Sequence, residues 1–352
     1  MRILCACLLL AFLPVGGHAQ DSLAVRNETL VQARRLKSIY KTDEAIEKLS
    51  SLLTPERFDE EVVSELADCH FQSGDYEGAA GTYAMLSALS PGNILYKIRL
   101  MQTWSRLKAW PQSIQTGREV LQLDSIPAVL SFVGDSFRQM EQSDSAIWYY
   151  RRSLALRPGN ESTAAKAMNA MIGVKDYDGA ISLADSFLRD DPDNSIVAPL
   201  KGIACYRKGD YDSAADIFQR QEDTGNDSYT THYYLGQSYW HTNLIYRAEK
   251  ELIEAWQIDS SDVSVAYSIA ALKGEASRSF DEIKPWLDRA WNMLQPDPVM
   301  LSRLHQQYAK GFSSDPKTID KAINHYREAY RLNPKSISAL LYMASLYETK
   351  KD

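Results

Sequence analysis

Small residues recur along this chain at an interval that scarcely changes over seven positions. The interval is 34 residues in five steps and 33 residues in one. Between these positions, apolar runs with helical spacing alternate with short polar segments that contain Gly, Asp or Pro, and this pattern predicts helices joined by turns. The recurring positions are Ala45, Ala79, Ser113, Ala146, Ala180, Ala214 and Ala248.

Further recurring residues divide each interval into two predicted helices. Three segments before the alanines share one turn-like form: Gly74-Asp75-Tyr76, Lys175-Asp176-Tyr177 and Gly209-Asp210-Tyr211. A second, mostly small set lies twelve residues before four of the alanines, at Gly134, Met168, Gly202 and Gly236. Small side chains allow two antiparallel helices to approach closely. Prolines then stop helical runs, at Pro91, Pro158, Pro192 and Pro334. Each unit is therefore predicted to contain helix A, a turn and helix B.

Two units carry a fuller set of these residue types. One has Val133, Gly134, Phe137, Ala146, Tyr150 and Pro158, and another has Leu235, Gly236, Tyr239 and Ala248. In this pattern the chain resembles the tetratricopeptide repeat family over roughly residues 26–350. The resemblance implies an all-α solenoid, a right-handed superhelix of helix-turn-helix repeats. Ser113 and Gly117 depart from the family pattern, which has Ala and an aromatic residue there.

The first residues have the pattern of a secretory signal peptide. Arg2 precedes an apolar run over residues 3–13, and small residues at Gly17 and Ala19 suit cleavage near Ala19. The run is shorter than the roughly 20 residues that span a bilayer. Residues 1–19 are therefore predicted to be a signal peptide. Residues 20–352 are predicted to be a single solenoid of about nine repeats and a C-terminal capping helix, with irregular, longer repeats over residues 263–335.

The cysteines and the net charge indicate where the protein is located and which class of partner it binds. Cys69 and Cys205 lie four repeats apart, which places them beyond disulfide reach. An exported chain without disulfides favours a bacterial envelope, so a periplasmic or secreted location is expected. The formal net charge of −7, with no basic cluster, disfavours nucleic acid as a partner.

No motif for catalysis, a cofactor or a metal stands out. The chain lacks a Gly-rich phosphate loop, a His-Glu-x-x-His sequence and a Gly-x-Ser-x-Gly sequence. His232 and His241 are nine residues apart, which places them on opposite faces of one predicted helix. We therefore expect no enzyme, no cofactor and no metal site.

The resemblance implies that the A helices line a concave groove that binds a protein or peptide partner. The groove positions of the family carry over to thirteen residues: Gln102, Arg106, Asp135, Arg138, Gln139, Asn169, Tyr206, Arg207, Tyr233, Gln237, Trp240, His241 and Tyr267. The later members are rich in Tyr, Trp and Arg, which often carry binding energy. A second interpretation stays open, in which Tyr206 and Trp240 only pack between adjacent helices.

Two functions follow from these patterns. The first is a non-catalytic scaffold or adaptor that binds an envelope protein. The family's carboxylate clamp needs a Lys at a position where this chain has none, so we expect aromatic stacking and hydrogen bonds to hold the partner. The second is a structural protein that self-associates into a homo-oligomer through the mostly apolar last helix. The apolar residues of that helix are Leu340, Leu341, Met343, Leu346 and Tyr347.

Several Asp-Ser pairs that precede an aliphatic residue have two interpretations. Asp144-Ser145 and Asp212-Ser213 resemble O-glycosylation acceptors of some envelope bacteria, but they also stand where a helix B begins. Asp and Ser side chains accept hydrogen bonds from the free N–H groups of a helix start. Capping is the simpler interpretation of the two pairs.

Overall fold

The fold is described by a computed structural model for residues 16–53, 58–293 and 297–350. These residues form nineteen α-helices and one short 3₁₀ helix, and the described part contains no β-strand. The predicted all-α solenoid is confirmed. The chain divides into two compact units, of which the first ends at Pro158 and the second begins at Gly159.

The first unit contains four successive helical hairpins. Each helix packs against its neighbours in the chain, and the recurring alanines lie fully buried at these contacts. The helices are α1 Gly16–Ser38, α2 Thr42–Ser50, α3 Glu60–Ser73, α4 Tyr76–Leu89, α5 Ile94–Arg106, α6 Trp110–Leu123, α7 Pro127–Gln139 and α8 Ser143–Leu156.

The second unit contains five hairpins and a last helix. In this unit, helices two apart in the chain also contact each other, as α11 does with α13 and α15 with α17. The helices are α9 Glu161–Gly173, α10 Tyr177–Leu188, α11 Val197–Lys208, α12 Tyr211–Asp223, α13 Tyr229–His241, α14 Ile245–Ile258, α15 Val263–Glu275, α16 Phe280–Met293, α17 Pro298–Phe312, α18 Ile319–Leu332 and α19 Ile337–Thr349, with a 3₁₀ helix at Pro316–Thr318 before α18.

The recurring turn owes its form to an aspartate cap. The side chains of Asp75 and Asp176 each accept a hydrogen bond of 3.0 Å from the backbone N–H three residues later, and Asp210 accepts one of 3.2 Å. These bonds satisfy free N–H groups at the start of each helix B. The preceding Gly209 has a φ of 93°, a left-handed conformation that glycine adopts without a Cβ clash.

The Asp-Ser pairs do not cap helices as the sequence suggested. The N-cap residue of α8 is Gln142, with no side-chain cap bond, and that of α12 is Asp210. Asp144 and Asp212 lie in the first turn instead, where a carboxylate interacts favourably with the helix dipole. The capping interpretation was wrong, because both aspartates lie two positions after the N-cap residue.

The predicted small residues lie where paired helices touch. A Cβ added to Gly134 would stand 2.6 Å from the Tyr150 ring, and one added to Gly202 would stand 2.6 Å from the Phe218 ring. Both rings are fully buried. Glycine is therefore the residue that fits between the helices at these two positions.

Three other expectations from the sequence concern the N-terminal segment, the region of longer repeats and membrane-spanning helices. Residues 1–15 of the predicted signal peptide lie outside the described residues, and α1 begins at Gly16. In the region predicted to have longer, irregular repeats, α17 continues through Lys310 and Gly311 to Phe312, so the turn before α18 starts after Phe312. None of the helices in the described residues combines the length and apolar character needed to cross a membrane.

Both cysteines of the described part are free and buried. Cys69 lies in the first unit and Cys205 in the second. Burial raises the pKa of the Cys69 thiol to about 11 and also raises that of Cys205. Both thiols are therefore protonated at neutral pH and act as small apolar side chains.

Candidate functional site

Five tyrosine rings and one histidine ring of the second unit form a connected group, which we call the aromatic cluster, and the buried Phe218 ring stacks beneath Tyr234. The cluster joins the end of α11 and the start of α12 to both ends of α13. Its members are Tyr206, Tyr211, Tyr229, Tyr233, Tyr234 and His241.

Tyr206 is at the centre of this cluster. Its ring makes edge contacts with Tyr211 and Tyr234, at centroid distances of 5.4 and 5.3 Å. Its hydroxyl lies 3.4 Å from Nε2 of His241, and the His241 ring stacks on Tyr211 at 4.0 Å. Edge and offset-stacked contacts are the favoured geometries of aromatic pairs. The cluster therefore holds its rings in fixed positions.

Tyr233 extends the cluster along α13. Its ring lies edge-on to Tyr234 at 5.1 Å and stacks on Tyr229 at 5.7 Å. Tyr206, Tyr233 and Tyr234 are all half-buried. Burial raises the pKa of Tyr206 to about 12 and raises that of Tyr233. These phenols stay neutral and can donate hydrogen bonds at physiological pH.

The two charged or titratable residues at the edge of the cluster are exposed. Arg207, next to Tyr206, and His241, at the end of α13, both face solvent. A hydrogen bond with Tyr234 raises the pKa of Arg207. The cluster thus combines half-buried rings with a fixed positive charge and hydrogen-bonding groups.

Three further residues of the predicted set make contacts along α13 and α15. Gln237 is buried, and its Nε2 donates a 3.0 Å hydrogen bond to Oγ of Ser268, so it links α13 to α15. Trp240 is half-buried, and its Nε1 donates to Glu275 at 2.7 Å. Tyr267 is half-buried, with Nε2 of Gln307 3.5 Å from its hydroxyl. Tyr206 and Trp240 therefore pack between helices while remaining partly exposed.

The remaining predicted residues do not join the aromatic cluster in any contact of the described residues. Asn169 is exposed and donates to the carbonyl of Ala165 in its own helix. In the first unit, Gln102 is half-buried and accepts from Arg99 at 3.4 Å, and Asp135 accepts from the Tyr150 hydroxyl at 2.8 Å. Arg106, Arg138 and Gln139 are exposed at helix ends.

Sequence reasoning missed three rings of the cluster. The sequence pattern places Tyr211 only in the recurring turn, whereas in the structure its ring stacks on His241 of α13. Tyr229 and Tyr234 occupy positions of α13 outside the register of the groove. The tyrosine-rich segment Tyr229–His241 was itself visible as an unusual concentration of aromatic residues.

His232 lies in a buried ionic cluster on the other face of α13. Its Nδ1 is 2.7 Å from Glu251, and its Nε2 contacts the carboxylate of Asp227. Burial disfavours the charged ring, but the hydrogen bonds with Asp227 and Glu251 prevail and raise the pKa of His232. The two carboxylates therefore favour the protonated form of His232, which ties the α12–α13 turn to α14.

Three side chains in and beside this buried ionic cluster have the spacing of a cation site. Ligand atoms of Glu222, His232 and Glu251 lie within 4.8 Å of one another. The Lys250 ammonium, however, lies 2.9 Å from Glu251 and 3.5 Å from Glu222. Lys250 thus already pairs with both carboxylates, and the hydrogen bond of His232 with Glu251 adds to this ion-pair network.

Stacked hairpins that pack mainly against their neighbours define a helical repeat protein. Residues 172–229 match the family model described as Tetratricopeptide repeat. The resemblance drawn from the recurring residues is therefore confirmed, and residues 172–229 carry the tetratricopeptide repeat pattern. Repeats of this kind support a role as a protein–protein interaction scaffold.

Solved structures with similarity to this chain include two tetratricopeptide repeat proteins and MamA. A tetratricopeptide repeat protein from Parabacteroides merdae ATCC 43184 is 12% identical, with 82% of this chain and 98% of that chain covered and a TM-score of 0.47. YrrB, described as a TPR protein with an unusual peptide-binding site, is 14% identical, with 54% and 98% covered and a TM-score of 0.46. MamA is 19% identical, with 47% and 90% covered and a TM-score of 0.43. No curated protein matches the sequence.

Proposed function

We propose that the aromatic cluster, with Arg207 and Trp240, binds a protein or peptide partner and that the chain acts as a non-catalytic adaptor. The observation that carries this proposal is the group of half-buried rings around Tyr206, with exposed Arg207 and His241 at its edge. Rigid aromatic rings supply large contact area at low entropic cost, and arginine adds directed hydrogen bonds. An extended or helical segment of a partner fits such a surface.

The proposed compartment is the bacterial cell envelope, reached after cleavage near Ala19. Its support is the charged and apolar pattern of the first residues together with two unpaired cysteines. The proposed partner is accordingly another envelope protein.

The experiment is affinity capture of the tagged chain from its native envelope after mild crosslinking, with mass spectrometry of the captured proteins. The test variant is Arg207→Ala with His241→Ala, because both side chains are exposed and their loss leaves the core intact. The matched control is Arg220→Ala with Gln257→Ala, two exposed side chains on B helices. We expect the wild type and the control to capture the same partner and the test variant to lose it. Equal capture by all three proteins would contradict the proposal.

A second variant tests the rings themselves. Tyr233→Ala, Trp240→Ala and Tyr267→Ala together remove the exposed aromatic area, but Tyr233 and Trp240 also pack against the core of this unit. Circular dichroism must therefore accompany the capture. A folded triple variant without partner supports binding through the rings, whereas an unfolded one assigns them to packing.

Self-association is a second candidate function, favoured by the surface of α19. Ala339 is the one buried residue of this helix, while Ile337 is 69% exposed and Leu341 is 66% exposed. Light scattering over a range of concentrations distinguishes the two functions. A dimer that dissociates when residues 336–352 are deleted supports self-association, and a monomer at all concentrations excludes it.

A further inference from the structure

A cavity of about 380 Å³ lies in the second unit, where the C-terminal ends of α15 and α17 meet the start of α16. Its wall includes Ser277, Arg278, Phe280, Gln307, Lys310 and Ser314. None of the described residues that line it is Asp or Glu. Two cations, several hydroxyl groups, a side-chain amide and an aromatic ring therefore line one recess.

The two cations are not neutralised by the protein. Neither Arg278 nor Lys310 forms an ion pair within the described part of the chain, and both are exposed. Nearby Lys273 and Lys284, in contrast, pair with Glu249 and Asp288. The Arg278 guanidinium lies 5.7 Å above the Tyr246 ring, a cation–π contact that positions it without neutralising its charge.

The cavity adjoins Tyr267, one of the groove residues predicted from the sequence. Gln307 lines the cavity, and its Nε2 is 3.5 Å from the hydroxyl of Tyr267, one of the predicted groove residues. Gly311 brings α17 so close to α16 that a Cβ would stand 2.1 Å from the Phe280 ring, which fixes this ring as an apolar wall. A charged group in the cavity would thus be separated from Tyr267 by the Gln307 side chain.

We propose that this cavity binds an oxyanion presented by the protein partner, either the carboxylate of an acidic side chain or the phosphate of a phosphorylated one. Guanidinium and ammonium groups form short, charge-assisted hydrogen bonds with both kinds of oxyanion. The serine hydroxyls and the Gln307 amide supply further donors. This inference rests on the proposed function, because it names the chemistry that the partner presents next to Tyr267.

The first test needs no partner. The full chain, labelled with ¹⁵N, is titrated with inorganic phosphate, acetate or chloride at matched ionic strength, and the Arg278 Nε–H resonance is followed by NMR. We expect saturable shifts with phosphate and acetate but not with chloride. Lys310→Gln should weaken the apparent affinity about tenfold, as the loss of one charge-assisted contact does. Identical responses to all three anions, or no effect of Lys310→Gln, would overturn the proposal.

Matched charge variants separate a site from general attraction. Arg278→Gln with Lys310→Gln removes the same charge as Arg303→Gln with Lys335→Gln, whose side chains are exposed outside the cavity wall. Phosphate protection against thermal unfolding should vanish in the first variant and persist in the second. Equal loss in both variants would assign the effect to net charge and sink the proposal.

Peptides of the captured partner then distinguish the two sources of the oxyanion. The probes are synthetic copies of the crosslinked segment with Glu, Gln or phosphoserine at the residue crosslinked nearest Arg278. Tighter binding of the Glu peptide assigns a carboxylate, and tighter binding of the phosphoserine peptide assigns a phosphate. Equal binding of all three overturns the inference. A third outcome would contradict the proposed function alone. In it, the cavity binds phosphate and acetate saturably, but the variant with Arg207→Ala and His241→Ala captures the partner as well as the wild type does.

Discussion

Glycine has opposite consequences at two positions of the first unit. Gly134 faces the buried Tyr150 ring, whose hydroxyl is held by Asp135 at 2.8 Å, so the ring has little freedom to move away from a new methyl group. Gly81 lies within α4 and has no atom within 4 Å of the place where a Cβ would stand. The same substitution therefore meets a collision at one position and open space at the other.

We predict that Gly134→Ala destabilises the protein by about 1 to 3 kcal/mol, the usual effect of overpacking. Gly81→Ala should instead stabilise it by about 0.5 to 1 kcal/mol, because alanine is the better helix former. Urea unfolding followed by circular dichroism measures both effects. Changes of the same sign in the two variants would show that the Gly134 contact does not limit packing.

The buried His232 makes stability depend on pH in a defined direction. Its pKa is raised in the folded protein, so its contribution to the free energy of unfolding is complete below the ordinary histidine pKa of about 6.5 and is lost as the pH rises through the raised value.

We predict that His232→Gln lowers the free energy of unfolding by about 1 to 3 kcal/mol at pH 6, because a buried carboxylate loses a charged partner. The difference between wild type and variant should shrink at pH 9. Denaturant titrations at the two pH values measure it. A difference that grows with pH would contradict a protonated His232.

At the scale of single elements, the start of each helix B depends on its aspartate cap. Asp210 precedes α12 and accepts from the N–H of Ser213 at 3.2 Å, whereas Asp212 lies in the first turn and is exposed. The cap bond replaces a hydrogen bond that the helix cannot form internally. The first-turn carboxylate acts only through the helix dipole.

We predict that Asp210→Ala costs about 1 kcal/mol of stability. Asp212→Ala serves as the matched control and should cost only a few tenths of a kcal/mol, about the value of an exposed charge near a helix start. Thermal unfolding of both variants provides the measurement. Equal losses would mean that the two aspartates have equivalent roles at this helix start.

The elements near the C-terminus show a limit of sequence patterns. His305 of α17 and His325 of α18 lie with their Nδ1 atoms 2.9 Å apart, among the rings of Trp291, Tyr308 and Phe312. Burial lowers the pKa of both histidines, so the pair is neutral, with one ring donating to the other. The spacing of these histidines in the sequence gave no indication of the contact, because a turn of irregular length separates the helices.

At the scale of the whole molecule, contacts within each unit are mainly between helices that are neighbours in the chain. Stability in such an array is close to a sum of repeat and interface contributions. A local defect should therefore loosen its surroundings without unfolding the distant repeats of the same unit.

Gly311→Ala provides the test within the second unit, because its Cβ would collide with the Phe280 ring. We predict that amide hydrogen exchange becomes about tenfold faster or more in α16–α18, as expected when about 1.4 kcal/mol or more of local stability is lost, while α9–α12 keep their protection. Exchange mass spectrometry on peptic fragments resolves these regions. A uniform increase from α9 to α19 would indicate one cooperative unit instead of separable repeats.

The sequence by itself determined the type of fold. The period of the small residues, the Asp-Tyr turns and the prolines depend on contacts within one hairpin, so they predict the helices and their pairing directly. It also directed attention to the segment around Tyr206 and Tyr233. These features are local, and local periodicity is what a single sequence records best.

The tertiary structure decided which side chains of an A helix reach solvent. Gln237 and Trp240 occupy groove positions by register, yet both donate hydrogen bonds to the next A helix. The acceptors are Ser268 for the Gln237 amide and Glu275 for the Trp240 indole. Likewise, only the folded chain brings Arg278 and Lys310 to one cavity. Positions at the edge of a helical stripe are buried or exposed according to the neighbouring helix, and that neighbour lies more than thirty residues away in the sequence.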